Sequence, residues 1–177
     1  MTLPERFETE RLVLQRLRYE DEPEIFYTYA SKIECTRYMS WPTHQSLRDT
    51  RQFLKYAVNG WRAGVDFSWS IRLKNSHRLI GSCGVINDHG KIQFGYVLGP
   101  NYWGQGYATE VCRKLLAILK TIPEVYRINT FVDIDNVASS RVLKKCGLEE
   151  EAVLVKWFRF VNQGNEPKDC VLYKLPL

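Results

Sequence analysis

A chain of 177 residues with 45% hydrophobic and 25% charged residues is long enough to bury a sizeable core, and its composition is that of an ordinary globular protein. The net charge of +5 favours an anionic ligand, but no run of lysine or arginine exceeds two residues, which argues against a nucleic-acid partner. The five cysteines form no C-x-x-C pair, so no metal is expected, and no apolar run has the length of a membrane span or the form of a secretory core. The expectation is a cytoplasmic protein with reduced thiols, folded as one domain over residues 1–177.

Residues 9–18 alternate Leu12, Leu14 and Leu17 with Arg11, Gln15 and Arg16, which predicts a half-buried strand. The acidic run from Tyr19 to Pro23 reads as a helix start carrying Ile25, Phe26 and Tyr29. Residues 35–43 read as irregular. Ser46 suits the N-cap of a helix bearing Leu47, Phe53, Leu54, Val58 and Trp61, which Gly64 closes. Strands over 66–73, 78–86 and 91–98 are joined by polar turns, so antiparallel hairpins are expected. A helix with Val111, Leu115, Leu116 and Leu119 follows, then a break at Pro123 and a strand over 126–133. A strand that returns after a helical crossover pairs in parallel with the strand 91–98. Asn136 opens a last helix, stopped by Gly147, and strands over 151–161 and 169–175 close the chain as a hairpin. This order gives a mixed sheet with helices on its faces, an α+β architecture.

The stretch Tyr96 to Glu110 organises the rest. A strand ends in Gly99-Pro100, a loop with Gly104, Gly106 and Ala108 follows, and a helix begins. Glycine lets the backbone approach a ligand without a Cβ in the way. The first helical turn leaves amides without partners and carries the positive end of the macrodipole. Together they suit a phosphate or pyrophosphate.

Three segments resemble the GNAT superfamily of acyl-CoA-dependent N-acetyltransferases, and more narrowly its RimJ/RimL-like branch: Thr9-Glu10-Arg11-Leu12-Val13-Leu14, the stretch Tyr96 through Glu110, and Asp135 through Leu148. The resemblance implies a mostly antiparallel twisted sheet with a central, splayed parallel pair and helices on both faces. It implies acetyl-CoA as co-substrate, with Gly104, Gln105, Gly106, Ala108 and Thr109 at the pyrophosphate. Trp103 stands where many members have Gln or Arg. Val97 and Leu98, on a strand expected to bulge and splay, would offer main-chain groups to pantetheine and the thioester carbonyl. Asn136 would hydrogen-bond the pantetheine arm, and a cation such as Arg141 would meet the 3′-phosphate.

The expected reaction is attack of a neutral amine on acetyl-CoA in a ternary complex, with an acid for the departing thiolate. Many members carry a carboxylate on the strand before the loop, where Gln93 stands here. Many place a Tyr seven residues after the Asn, where Leu143 stands. The RimJ/RimL-like pattern has a Ser three residues after it, which makes Ser139 the acid as well as a cofactor contact. Ser139 and its neighbour Ser140 equally suit plain helix-terminus bonding. No base is identified; Glu110, Asp133 and His44 are candidates through water. Tyr38, Trp41 and His44 would line the substrate side. The resemblance implies a protein N-terminal amine, or a small amine such as an aminoglycoside or polyamine, as acceptor. The run Glu149-Glu150-Glu151 would contribute to an acidic cleft for a cationic acceptor, or is simply solvated. A homodimer is compatible with this reading, and a CoA-binding module without catalysis is the competing one.

Overall fold

The computed structural model describes residues 1–176. The three strands expected in its middle, β3 (Asp66–Leu73), β4 (Leu79–Asp88) and β5 (Lys91–Leu98), form consecutive antiparallel hairpins. On one side of them lie β1 (Arg6–Glu8) and β2 (Leu12–Arg16). On the other lie β6 (Arg127–Asp133), β8 (Pro167–Lys174) and, at the edge, β7 (Glu149–Arg159). The order among the described residues is β1-β2-β3-β4-β5-β6-β8-β7, antiparallel throughout except for β5 with β6. This is the α+β sheet expected, with its parallel pair in the expected place.

The helices are α1 (Glu22–Ile25), α2 (Ile33–Thr36), α3 (Leu47–Ala63), α4 (Tyr107–Leu119) and α5 (Val137–Lys145). Alternation along β5 assigns them to faces. Phe94 and Leu98 pack in one core with Val111 and Leu115 of α4 and Leu143 of α5. Val97 packs in a second core with Ile25, Tyr29 and Leu54, under α1 and α3. The helix ends follow their sequence signals. At α3 the Asp49 carboxylate accepts from the Ser46 amide at 3.0 Å, and the chain leaves through Gly64 at φ +70°. No described helix is long and apolar enough to cross a membrane.

Several boundaries differ from expectation for local reasons. Residues 9–11 form a turn, with Thr9 N donating to Leu12 O at 3.0 Å, so the opening strand shortens and a three-residue β1 pairs ahead of it. A strand that short shows no alternation to read. The stretch after Arg18 is helical but mixed, a 3-10 turn (Tyr19–Asp21), α1 and a π turn (Phe26–Ala30) in succession. The run taken as irregular from Cys35 opens inside α2. The first strand of the closing hairpin runs from Glu149 to Arg159, ending short of 161 because Val161–Gln163 turns as a 3-10 helix.

The feature that positions the site is the parting of β5 and β6. They pair only at Lys91↔Arg127, Ile92↔Ile128 and Gln93↔Asn129, while β5 runs on to Leu98 and β6 to Asp133. One further link is the Thr130 hydroxyl, which donates to Phe94 O at 2.8 Å. The bulge expected in β5 is absent. Its register with β4 is unbroken from Gly81↔Leu98 to Asp88↔Lys91, and β6 pairs instead with β8 up to Asp133↔Cys170. The splay therefore opens on the β6 side of an undistorted strand.

Candidate active site

The loop before α4 takes the form its glycines allow. Gly104 (φ +72°) and Gly106 (φ +83°) occupy the left-handed region, and Gly106 is the N-cap of α4. Glu110 N donates to Gly106 O at 3.0 Å, so the amides of Tyr107, Ala108 and Thr109 precede the helical ladder and face out of its end. A Cβ added at Gly104 would meet nothing within 4 Å, which leaves the loop open to a ligand.

Arg11, from the turn between β1 and β2, braces this loop. Its Nη1 donates to Gln105 O at 3.0 Å, its Nε to Glu110 at 2.7 Å, and its guanidinium lies 4.3 Å from the centroid of the Tyr107 ring. Glu110 also accepts from the Thr9 hydroxyl at 2.5 Å and the Arg11 amide at 2.9 Å. Burial alone would raise the Glu110 pKa; the bonds from Thr9 and Arg11 outweigh it and hold the carboxyl below its usual range. Glu110 is thus a structural anchor for the loop. The Trp103 indole donates to Leu98 O at 2.9 Å, and the Gln105 side chain to Asn101 O at 2.8 Å. Outside the loop, a groove of about 830 Å³ gathers Arg11, Arg113, Lys114 and Lys145 beside Glu10 and the ion-paired Glu8 and Glu110. Arg141, expected near a phosphate, is exposed on α5 and does not line this groove.

Where β5 and β6 part, a cavity of about 150 Å³ opens. Asn136, Ser139 and Leu143 line it from α5, Tyr38 and Met39 from the segment after α2, and Phe158 and Phe160 from the end of β7 and beyond. The hydrogen-bond phase of β5 decides which main-chain groups face it. Gly99 N donates to Ile80 O at 2.8 Å, and antiparallel bonding alternates, so Val97 turns its amide and carbonyl to Ser82 on β4. Tyr96 and Leu98 turn theirs toward the opening. Of the two residues expected there, Leu98 is placed, with its carbonyl already held by Trp103. Val97 is not, and Tyr96 takes its position.

Ser139 is fixed from both ends. Its amide donates to the Asn136 side-chain oxygen at 3.2 Å, making Asn136 the N-cap of α5, and its Oγ lies 3.2 Å from the Tyr96 hydroxyl. Burial pushes the Tyr96 phenol well above its ordinary pKa, so it stays a protonated hydroxyl. Nothing in the sequence marks the Tyr96 partner, which lies 43 residues from Ser139 in the chain.

The substrate-side expectations divide. Tyr38 lines the cavity, its hydroxyl directed at Asp135 O at 3.4 Å. Trp41 and His44 do not line it. Trp41 stacks on Phe53 with centroids 6.1 Å apart, and His44 is 7% exposed with Nδ1 2.8 Å from the Thr50 hydroxyl. Burial lowers the His44 pKa, with Asp49 opposing, and leaves a neutral core histidine. Asp133 accepts from Gln163 Nε2 at 2.8 Å and from Asp135 N at 2.9 Å, so it holds the approach to α5. The Glu149–Glu151 run forms no acidic cleft: Glu150 pairs with Lys144 at 2.7 Å and Glu151 with Arg127, on the outer strand. Asn162 was also missed. From the turn between β7 and β8 it donates to Thr36 O (2.7 Å) and Trp41 O (2.9 Å) and accepts from the Thr43 amide (2.9 Å) and hydroxyl (3.1 Å). One side chain thereby fixes both flanks of the segment that carries Tyr38 and Met39.

A small-residue loop on a helix N-terminus, beside a splayed parallel pair and an Asn-capped second helix, defines an acyl-CoA-using transferase site. The comparisons agree. The model of the acetyltransferase (GNAT) domain matches residues 11–149, and the chain belongs to that family as an acyl-CoA-dependent N-acetyltransferase. It is 28% identical over 171 residues to YoaA of Bacillus subtilis (strain 168), named as an uncharacterized N-acetyltransferase, covering 95% of this chain and 94% of that one. In fold it is similar to the microcin C7 self-immunity acetyltransferase MccE, solved with acetyl-CoA and AMP, at a TM-score of 0.86 and 21% identity, covering 95% and 93% of the two chains. It is likewise similar to RimL, the ribosomal L7/L12 α-N-protein acetyltransferase, at a TM-score of 0.85 and 17% identity, covering 96% and 92%. At these identities the two structures speak for the fold alone.

Proposed function

We propose that this chain moves the acetyl group of acetyl-CoA to a primary amine by direct attack in a ternary complex, and that the two substrates meet in the cavity between β5 and β6. The observation that carries this reading is the cavity itself, which has Ser139 and Asn136 on the α5 side and Tyr38 and Met39 on the opposite side of the sheet. The residues present fit the co-substrate. The loop is open where a Cβ would stand on Gly104, one on Gly106 would meet only Arg11 Nη2 at 3.5 Å, and the α4 N-terminus offers amides from Tyr107 to Thr109 to a pyrophosphate. Tyr96 and Leu98 direct amides to the place for pantetheine and the thioester carbonyl.

Acetyl-CoA supplies the activated acetyl group. As the N–C bond forms and the C–S bond breaks, Ser139 Oγ donates a proton toward the departing sulfur, and the amine's own proton leaves to water. Tyr96, bonded to Ser139, can return a proton to it. The acceptor readings are a protein N-terminal amine and a small amine. A catalytically silent CoA-binding module is the reading to beat.

Direct transfer predicts intersecting lines when initial velocity is measured against both substrates. Parallel lines would show an acetyl-enzyme and overturn it. A melting temperature unmoved by saturating acetyl-CoA would remove the co-substrate site altogether.

A further inference from the structure

The cavity at the splay contains no ionised side chain. Its walls are Tyr38, Met39, Phe94, Tyr96, Phe131, Val132, Leu143, Phe158 and Phe160, with Ser40, Gln93, Gly95, Thr130, Asn136 and Ser139 between them. Phe131, Phe158 and Phe160 form a continuous aromatic wall, with centroids 5.3 Å and 4.9 Å apart in turn. Asp133, Asp135 and Asp169 do not line it; Asp135 pairs with Lys168 at 2.7 Å, while Asp133 accepts from the Gln163 side chain and Asp169 from the Lys156 amide, each at 2.8 Å.

We infer that the acceptor is an amine of low basicity carried on an uncharged, apolar or aromatic body, and that it enters this cavity already neutral. The inference rests on the acetyl-transfer reading above and supplies what that reading lacks, an account of the missing base. Transfer into a site without a counter-charge disfavours the ammonium form and selects the free amine. An α-amino group, with a pKa near 8, is about one-quarter neutral at pH 7.5, whereas a lysine-like alkylamine is about 0.1% neutral. Water then takes the proton before binding, and no carboxylate is needed at Gln93. A second cation on the acceptor would sit against Phe131 and Phe158 with no carboxylate to receive it.

The test compares kcat/KM at pH 7.5 for phenylalaninamide, Nα-acetyllysinamide and spermidine. We expect the first to exceed Nα-acetyllysinamide by about 200-fold, in line with the ratio of neutral fractions, and to exceed spermidine, which keeps further positive charges in the cavity, by at least about tenfold. The kcat/KM of phenylalaninamide should also rise with pH to a plateau set by the amine's own pKa. Equal or better turnover of spermidine would overturn the inference while leaving acetyl transfer intact. Silence with all three would instead count against the transfer reading. In that event calorimetric titration of phenylalaninamide and spermidine into CoA-saturated protein decides the inference, tighter binding of spermidine refuting it. As a second arm, Gln93→Glu places a carboxylate on the exposed face of β5 at the cavity. It should raise spermidine turnover by up to about fivefold relative to phenylalaninamide; an unchanged ratio argues against an acceptor chosen by lack of charge.

Discussion

The Tyr96 hydroxyl and Ser139 Oγ lie 3.2 Å apart across the gap between β5 and α5, the one side-chain bond among the described residues that joins the splayed strand to α5 at the cavity. It gives Ser139 a partner that holds its rotamer and completes a path for a proton. Ser139→Ala should lower kcat by about 100-fold, the low end for loss of a positioned proton donor, with acetyl-CoA affinity within a few-fold. Tyr96→Phe removes only the supporting bond and should cost about tenfold or less. Steady-state kinetics beside calorimetric acetyl-CoA binding check both. If Ser139 is only a helix-terminus residue, Ser139→Ala will leave kcat unaltered.

Arg11 joins the N-terminal turn to the Gly104–Gly106 loop through Gln105 and Glu110. Arg11→Ala should weaken acetyl-CoA binding about tenfold and leave kcat at saturation within about threefold, since a charge-assisted bond to the loop is lost far from the reacting atoms. Calorimetric titration of acetyl-CoA measures it.

The same pair carries a pH dependence. The Glu110 pKa is held below that of the unfolded chain. Its stabilising contribution is therefore complete above the ordinary carboxylate range and is lost as pH falls through the lowered folded value. Glu110→Gln should be less stable than the parent at neutral pH and should lose less on acidification, which melting curves from pH 7 to pH 3 will show.

His44 works in the same direction for a different reason. Its folded pKa is lowered by burial, so the unfolded chain binds the extra proton first, and stability falls as pH drops below the unfolded value of about 6.5. His44→Gln should flatten the fall in melting temperature between pH 7 and pH 5. An equally steep fall would mean that another group sets it.

Asn162 positions the acceptor wall from a distance. Asn162→Ala leaves the Trp41 carbonyl and the Thr43 amide without their partner, at a cost of about 1–3 kcal/mol, while Thr36 O keeps the Met39 amide at 2.8 Å. Because the freed segment carries Tyr38 and Met39, the acceptor KM should rise about tenfold while acetyl-CoA affinity stays within twofold. A fall in stability with both substrates unaffected would make Asn162 purely structural.

What could be read in the sequence was local. Gly104 and Gly106 announced a loop that a ligand can approach, Ser46 and Gly64 bounded α3, and the single crossover between 98 and 126 required the parallel pair. What could not be read depends on partners distant in the chain. Arg11 meets Gln105 and Glu110 across 94 and 99 residues, and Asn162 meets Thr36 across 126. Neither polar residue carries a periodic or motif signal of its own. The substitution of Tyr96 for Val97 at the opening turns on hydrogen-bond phase, which a one-residue shift inverts and composition does not reveal. His44 looked like a loop histidine because its burial comes from Trp41, Phe53 and Thr50 folding over it.

The most direct test of acetyl transfer at the splay is the release of CoA thiol from acetyl-CoA with and without an amine, in the parent and in Ser139→Ala. The account predicts release that requires the amine, matches acetylated product in amount, and falls about 100-fold in the variant. Release that proceeds equally without any amine, or that the variant leaves unchanged, would contradict it.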